Sequence, residues 1–182
     1  MLNKETLQKL SKNELITLIE AYSKNWLAMD GLWFQSLENK YGMQEAMCRD
    51  EEVWTHFTAI EAKRIKEFLN LEEYPGLQGL EKALKLRFYA NINRDELIIK
   101  DNTLIYSTLE CRVQTARLRK NMPYHPCKSV GIIEYSEFAK IIDKRIVCDC
   151  ISCYPDITDE SCCCKWKFTL IAVSYTHLRA HE

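Results

Sequence analysis

The chain has 182 residues, 47% of them hydrophobic and 28% charged, and a net charge of −1. Those values belong to a folded globular protein of one domain, or of two small subdomains on a shared core. They provide no electrostatic footprint for nucleic acid or an anionic membrane, and no window approaches a spanning helix.

The first residues, "MLNKETLQKLSKNEL", lack the apolar run of a signal peptide, so the expected location is the cytoplasm, where thiols stay reduced. "SKNE" has capping-box spacing, with Ser11 as N-cap and Glu14 reaching back. Leu15, Leu18, Ile19 and Tyr22 then follow the period of an amphipathic helix. Asp30-Gly31 is expected to break or kink it before "LWFQSLENKYG", where Gly42 suits a C-terminal cap. Asp50 and two glutamates open a third helix, with Val53, Phe57, Ile60 and Phe68 as its inner stripe and "EAKRIKE" outside. Pro75-Gly76 marks a turn into a fourth helix on Leu77, Leu80, Leu84 and Phe88.

After Asn93 the period changes. "ELIIK-DN-TLIYS" reads as a hairpin around Asp-Asn, its second strand running on through "TLECRVQ". The basic run "CRVQTARLRK" reads as a solvated edge. A loop with Pro123 and Pro126 leads to a helix in "YSEFAKIID", and "RIVCDCIS" and "CCKWKFTLI" give two final strands. The expected fold class is α+β. It is read as one domain over residues 1–171, helical over 1–92, then an antiparallel cysteine-bearing sheet over 93–171. "VSYTHLRAHE", residues 173–182, resembles translated sequencing-adapter sequence, so 172–182 is expected to be foreign and the native sequence cut short near Ile171. Its His177 and His181 receive no role.

The chemistry concentrates in "CDCISCYPDITDESCCC", which holds six of the nine cysteines. An odd total does not suit a complete disulfide framework. Cys150 and Cys153 form a C-x-x-C, whose thiolates can share one ion. Cys162 and Cys164 share a strand face, while Cys111 and Cys127 stand where they can converge on the same sheet end. Metal ligation, a catalytic or redox thiol, and simple burial of small hydrophobes all fit this pattern. Cys111 lies beside Arg112, Gln114 and Arg117; a cation lowers a thiol's pKa, and arginine can clamp a carboxylate. Trp26, Asp30, Trp33 and Phe34 can wall a pocket, and Glu134 and Tyr135 can handle protons. His125 stands two residues before Cys127, a thin hint of a Cys–His dyad. No P-loop, dinucleotide-binding or nucleophile-elbow motif is present.

"NWLAMDGLWFQ", "IEAKRI", "ECRVQTAR", "PCKSVGIIEYSEFAKIIDKRI", "CISCYPD" and "CKWKF" together resemble a domain-of-unknown-function family. Its members are small cytosolic proteins of anaerobic bacteria and archaea, and the resemblance covers about residues 10–170. That family is distantly similar to L-2-amino-thiazoline-4-carboxylic acid hydrolases, which open a sulfur-containing ring by C–N hydrolysis. The resemblance picks out Cys111, Cys127, Cys150, Cys153 and Cys164, and implies a zinc or iron–sulfur site built from them. Cys148, Cys162 and Cys163 look particular to this chain. Two further readings follow. One is a hydrolase with Cys111 as nucleophile and Arg112 or Arg117 as carboxylate clamp. The other is a non-catalytic domain that binds a small molecule between Trp26, Asp30, Trp33, Glu134 and Tyr135.

Overall fold

The structure, a computed structural model, describes residues 4–171; the tail expected to be foreign, 172–182, lies outside the described residues. The helices come first: α1 (Lys4–Gln8), α2 (Lys12–Tyr41), α3 (Met43–Phe68) and α4 (Gly76–Leu84). A 3₁₀ turn (Phe88–Asn91) leads into β1 (Arg94–Lys100) and β2 (Thr103–Glu110), then α5 (Arg112–Arg119), α6 (Lys128–Ile142), β3 (Ile146–Cys153) and β4 (Cys164–Leu170). The strands form one antiparallel sheet in the order β1-β2-β4-β3. The protein is therefore α+β, with a helical N-terminal half and a four-stranded sheet in the C-terminal half.

Local chemistry explains the joints. The Ser11 hydroxyl accepts the Glu14 N–H at 3.3 Å, and the Glu14 carboxylate accepts the Ser11 N–H at 2.8 Å, closing the capping box. Gly42, at φ 86°, ends α2 with its N–H on the Glu38 carbonyl and turns the chain directly into α3. Asp101, at φ 54°, takes the left-handed position in the two-residue loop between Lys100 and Thr103. The main core joins α6 to the sheet: Phe138, Ala139 and Ile142 meet Leu104, Tyr106, Trp166 and Phe168, and α4 adds Leu80 and Leu84. A second cluster of Phe34, Met47, Trp54 and Val130 joins α2, α3 and α6.

Several expected elements change. Asp30-Gly31 does not break α2, which runs on to Tyr41. A mid-helix glycine costs only about 1 kcal/mol, and Phe34 beyond it is buried. α3 begins at Met43, and its buried stripe is Trp54, Thr58, Glu61, Ala62 and Ile65. Val53, Ile60 and Phe68 face solvent, Phe68 at 80% exposure. The shift arises because buried Glu61 is paired with Arg87, so a charge occupies a core position that hydrophobic period cannot show. β2 stops at Glu110, and "RVQTARLR" is helical, with Gln114 and Arg117 buried instead of lining a solvated edge. The helix read in "YSEFAKIID" starts seven residues earlier, at Lys128. Cys162 and Cys163 precede β4 and do not belong to a strand.

Candidate functional site

The sheet end, α2, α3, α5 and α6 enclose a cavity of about 420 Å³. Four cysteines reach it from four places: Cys111 before α5, Cys127 at the start of α6, Cys153 at the end of β3 and Cys164 at the start of β4. A bulge makes this possible. Residues three apart in a regular strand point to opposite faces, so Cys150 and Cys153 should diverge. The register of β3 shifts between Cys150 and Ser152, which pairs Cys150 with Trp166 and Cys153 with Cys164. Both cysteines then pack on the core side. Cys153 is buried at the cavity wall, whereas half-buried Cys150 does not line it.

The sulfurs of Cys153 and Cys127 are 4.0 Å apart, within reach of a thiol hydrogen bond. Cys153 also stands opposite Cys164 in the β3–β4 register. The Cys153 thiol donates toward Cys127, which pushes Cys153 up and pulls Cys127 down, and Cys164 beside it is also lowered. Cys127 has further support. Its sulfur accepts the Gln114 side-chain N–H at 3.3 Å and lies 3.3 Å from the His125 carbonyl, while the nearby His125 imidazole pulls its pKa lower still. It also occupies the N-cap of α6, where the helix dipole favours negative charge. Burial instead pushes the Cys111 thiol up.

Gln114 holds this turn in place. Its amide oxygen accepts the His125 N–H at 2.9 Å, and its amide N–H donates to the His125 carbonyl, also at 2.9 Å. His125 Nε2 lies 3.8 Å from Asp50 Oδ2, and its Nδ1 is buried without a hydrogen-bond partner. Burial pushes the Asp50 carboxyl up to about 7, against the opposing pull of His125. Glu134 is likewise raised to about 7 by burial. Arg87 lies between it and Glu61, 2.6 Å from Glu134 and 2.9 Å from Glu61; the Glu134 contact has the distance of an ion pair but not the angle of a hydrogen bond. Asp30 is also raised by burial, so desolvation shifts three inner-wall carboxyls upward.

Of the residues singled out in the sequence, Cys111, Arg112, Arg117, Asp30, Glu134 and Tyr135 line the cavity together with Cys127, Cys153 and Cys164. Trp26 stacks on Phe57 with ring centroids 5.1 Å apart and does not line it; Trp33 is 67% exposed. Arg117 is bound to Glu38 through two hydrogen bonds of 2.8 Å and donates a third to the Pro123 carbonyl. Arg112 has no side-chain ion pair or hydrogen bond among the described residues. Cys127 and Cys164 interact only as charges across Cys153, and no three His, Cys, Asp or Glu side chains among the described residues are arranged to hold a metal ion. Sequence reasoning missed Asp50, which it read as a helix opener, and Gln114 as a positioning residue. The signal available was His125-Pro126-Cys127 leading straight into a helix.

Fold and cavity together define an α+β protein with thiols, carboxyls and a histidine on the wall of one pocket. The chain belongs to a family of unknown function, DUF6125, whose model matches residues 8–170. No curated protein and no solved structure matches it. Among the described residues, no helix is long and apolar enough to cross a membrane.

Proposed function

We propose that the cavity is the active site of a cysteine-dependent enzyme acting on a small molecule, with Cys127 as nucleophile. One observation carries this reading: Cys127 occupies the N-cap position of α6 at the cavity wall, and its sulfur accepts hydrogen bonds from the Gln114 side-chain N–H and the Cys153 thiol, both favouring its thiolate. The thiolate adds to an electrophilic carbon of the substrate, forming a C–S bond. His125 gives a proton to the departing nitrogen as the C–N bond breaks, and Asp50 beside it steadies the charged imidazole. Water then cleaves the C–S intermediate and restores Cys127. Arg112, unpaired at the wall, suits a substrate carboxylate; Arg117, already committed to Glu38, does not. The distant resemblance to aminothiazoline-carboxylate hydrolases supports C–N hydrolysis as the reaction class.

The test uses a panel of cyclic amidines and carboxamides bearing a carboxylate, together with iodoacetamide labelling of the native protein. Cys127→Ser is expected to abolish turnover and Cys111→Ser to retain it, with Cys127 alkylated faster than exposed Cys48 at neutral pH. Equal labelling rates for Cys127 and Cys48 would remove the nucleophile. Stoichiometric zinc or iron in anaerobically purified protein would replace this reading with the metal-binding one.

A further inference from the structure

The arrangement of Cys127 and Cys153 has a use that hydrolysis does not require. Their sulfurs are 4.0 Å apart, and a disulfide needs about 2.05 Å. The backbones are tied together one residue further along each segment. The Lys128 N–H donates to the Tyr154 carbonyl at 2.8 Å, and Lys128 Nζ pairs with Asp156 at 2.8 Å. The remaining approach of about 2 Å is of the size that a change of side-chain rotamer supplies. Cys111 has no comparable contact, and Cys164 meets Cys127 only through Cys153.

We propose that Cys127 is a site of reversible oxidation by a hydroperoxide and that Cys153 is its resolving partner. In the first step the Cys127 thiolate attacks the peroxide oxygen. An S–O bond forms, the O–O bond breaks, and the departing oxygen takes a proton, leaving a sulfenic acid at Cys127 and an alcohol or water. In the second, the Cys153 sulfur attacks the Cys127 sulfur and water leaves with the Cys153 proton, giving a Cys127–Cys153 disulfide. Two thiols are oxidised and one peroxide is reduced; an external dithiol restores the pair. Without a resolving partner, a sulfenic acid goes on to the irreversible sulfinic acid. The inference rests on a reactive Cys127 and not on C–N hydrolysis, so a protein that turns over no amidine leaves it intact.

Native protein treated with one equivalent of hydrogen peroxide, mapped by mass spectrometry without reduction, is expected to yield a Cys127–Cys153 linked peptide that dithiothreitol removes. Cys153→Ala, checked for folding by circular dichroism, is expected to give a dimedone adduct at Cys127 and then sulfinic acid, whereas Cys164→Ala retains the link. If wild-type Cys127 accumulates as dimedone adduct or sulfinic acid, or if the link joins Cys153 to Cys164, the proposal is wrong. The wild-type map decides the matter even where the Cys153 variant fails to fold.

Discussion

Arg117 and Glu38 are joined by two parallel hydrogen bonds of 2.8 Å, which fasten α5 to the last turn of α2. The guanidinium is 3% exposed, so it is already desolvated in the absence of any substrate. Removing one partner of a buried pair leaves the other charge uncompensated, at roughly 3–5 kcal/mol. Arg117→Ala is therefore expected to lower stability by about 3 kcal/mol, read by urea denaturation. A substrate clamp would instead leave stability unchanged and raise KM.

Helix α6 approaches the sheet closely at Gly131, where an added Cβ would stand 2.6 Å from Trp166 Cζ2. Trp166 is fully buried and packs against Tyr135 with ring centroids 4.6 Å apart, so it has little room to retreat. Alanine gains about 1 kcal/mol of helix preference over glycine, but overpacking costs typically 1–3 kcal/mol. Gly131→Ala is expected to be destabilising overall and to shift Trp166 fluorescence; a rise in melting temperature would show that the ring yields.

The cavity carboxyls make stability depend on pH. Asp50 and Glu134 are raised by burial to about 7, against about 4 when unfolded. Between those values the unfolded chain has already lost protons that the folded one keeps, so stability falls as pH rises from about 4 to about 7 and levels off above. Asp50→Asn removes one of these contributions. Thermal melts across that window are expected to show a shallower fall in the variant, and an unchanged slope would mean that Asp50 is not desolvated.

The nearby His125 imidazole supports the Cys127 thiolate, after the larger contribution from Cys153. Losing the imidazole lets the thiol's pKa rise, so less thiolate remains at low pH. His125→Ala is expected to slow alkylation of Cys127 more at about pH 6 than at about pH 9. The same fold-decrease at both values would assign His125 to packing against Phe34, where the ring centroids are 4.5 Å apart.

The thiol row also bears on metal content. A tetrahedral site needs its ligands around a common centre, with sulfur about 2.3 Å from zinc. Here the sulfurs of Cys153 and Cys127 are 4.0 Å apart, and no three His, Cys, Asp or Glu side chains among the described residues are arranged to hold an ion. Reduced protein is expected to carry less than one equivalent of zinc or iron by elemental analysis, and a full equivalent would mean that the sulfurs close around an ion.

What the sequence determined by itself was local. The capping box at Ser11, the hairpin at Asp101-Asn102, the leucine stripe of α4 and the change from helical to strand period are all set by neighbours a few residues apart, and together they establish the α+β class. The tertiary structure decided what depends on partners far along the chain. Glu61 is buried because Arg87 meets it, and Arg117 because Glu38 does. Cys127 and Cys153 are 26 positions apart, and their meeting depends on a bulge in β3 and on where α6 starts. Composition marked the cysteines, but only packing separated Cys127, with its helix N-terminus and hydrogen bonds, from Cys111, whose burial opposes ionisation.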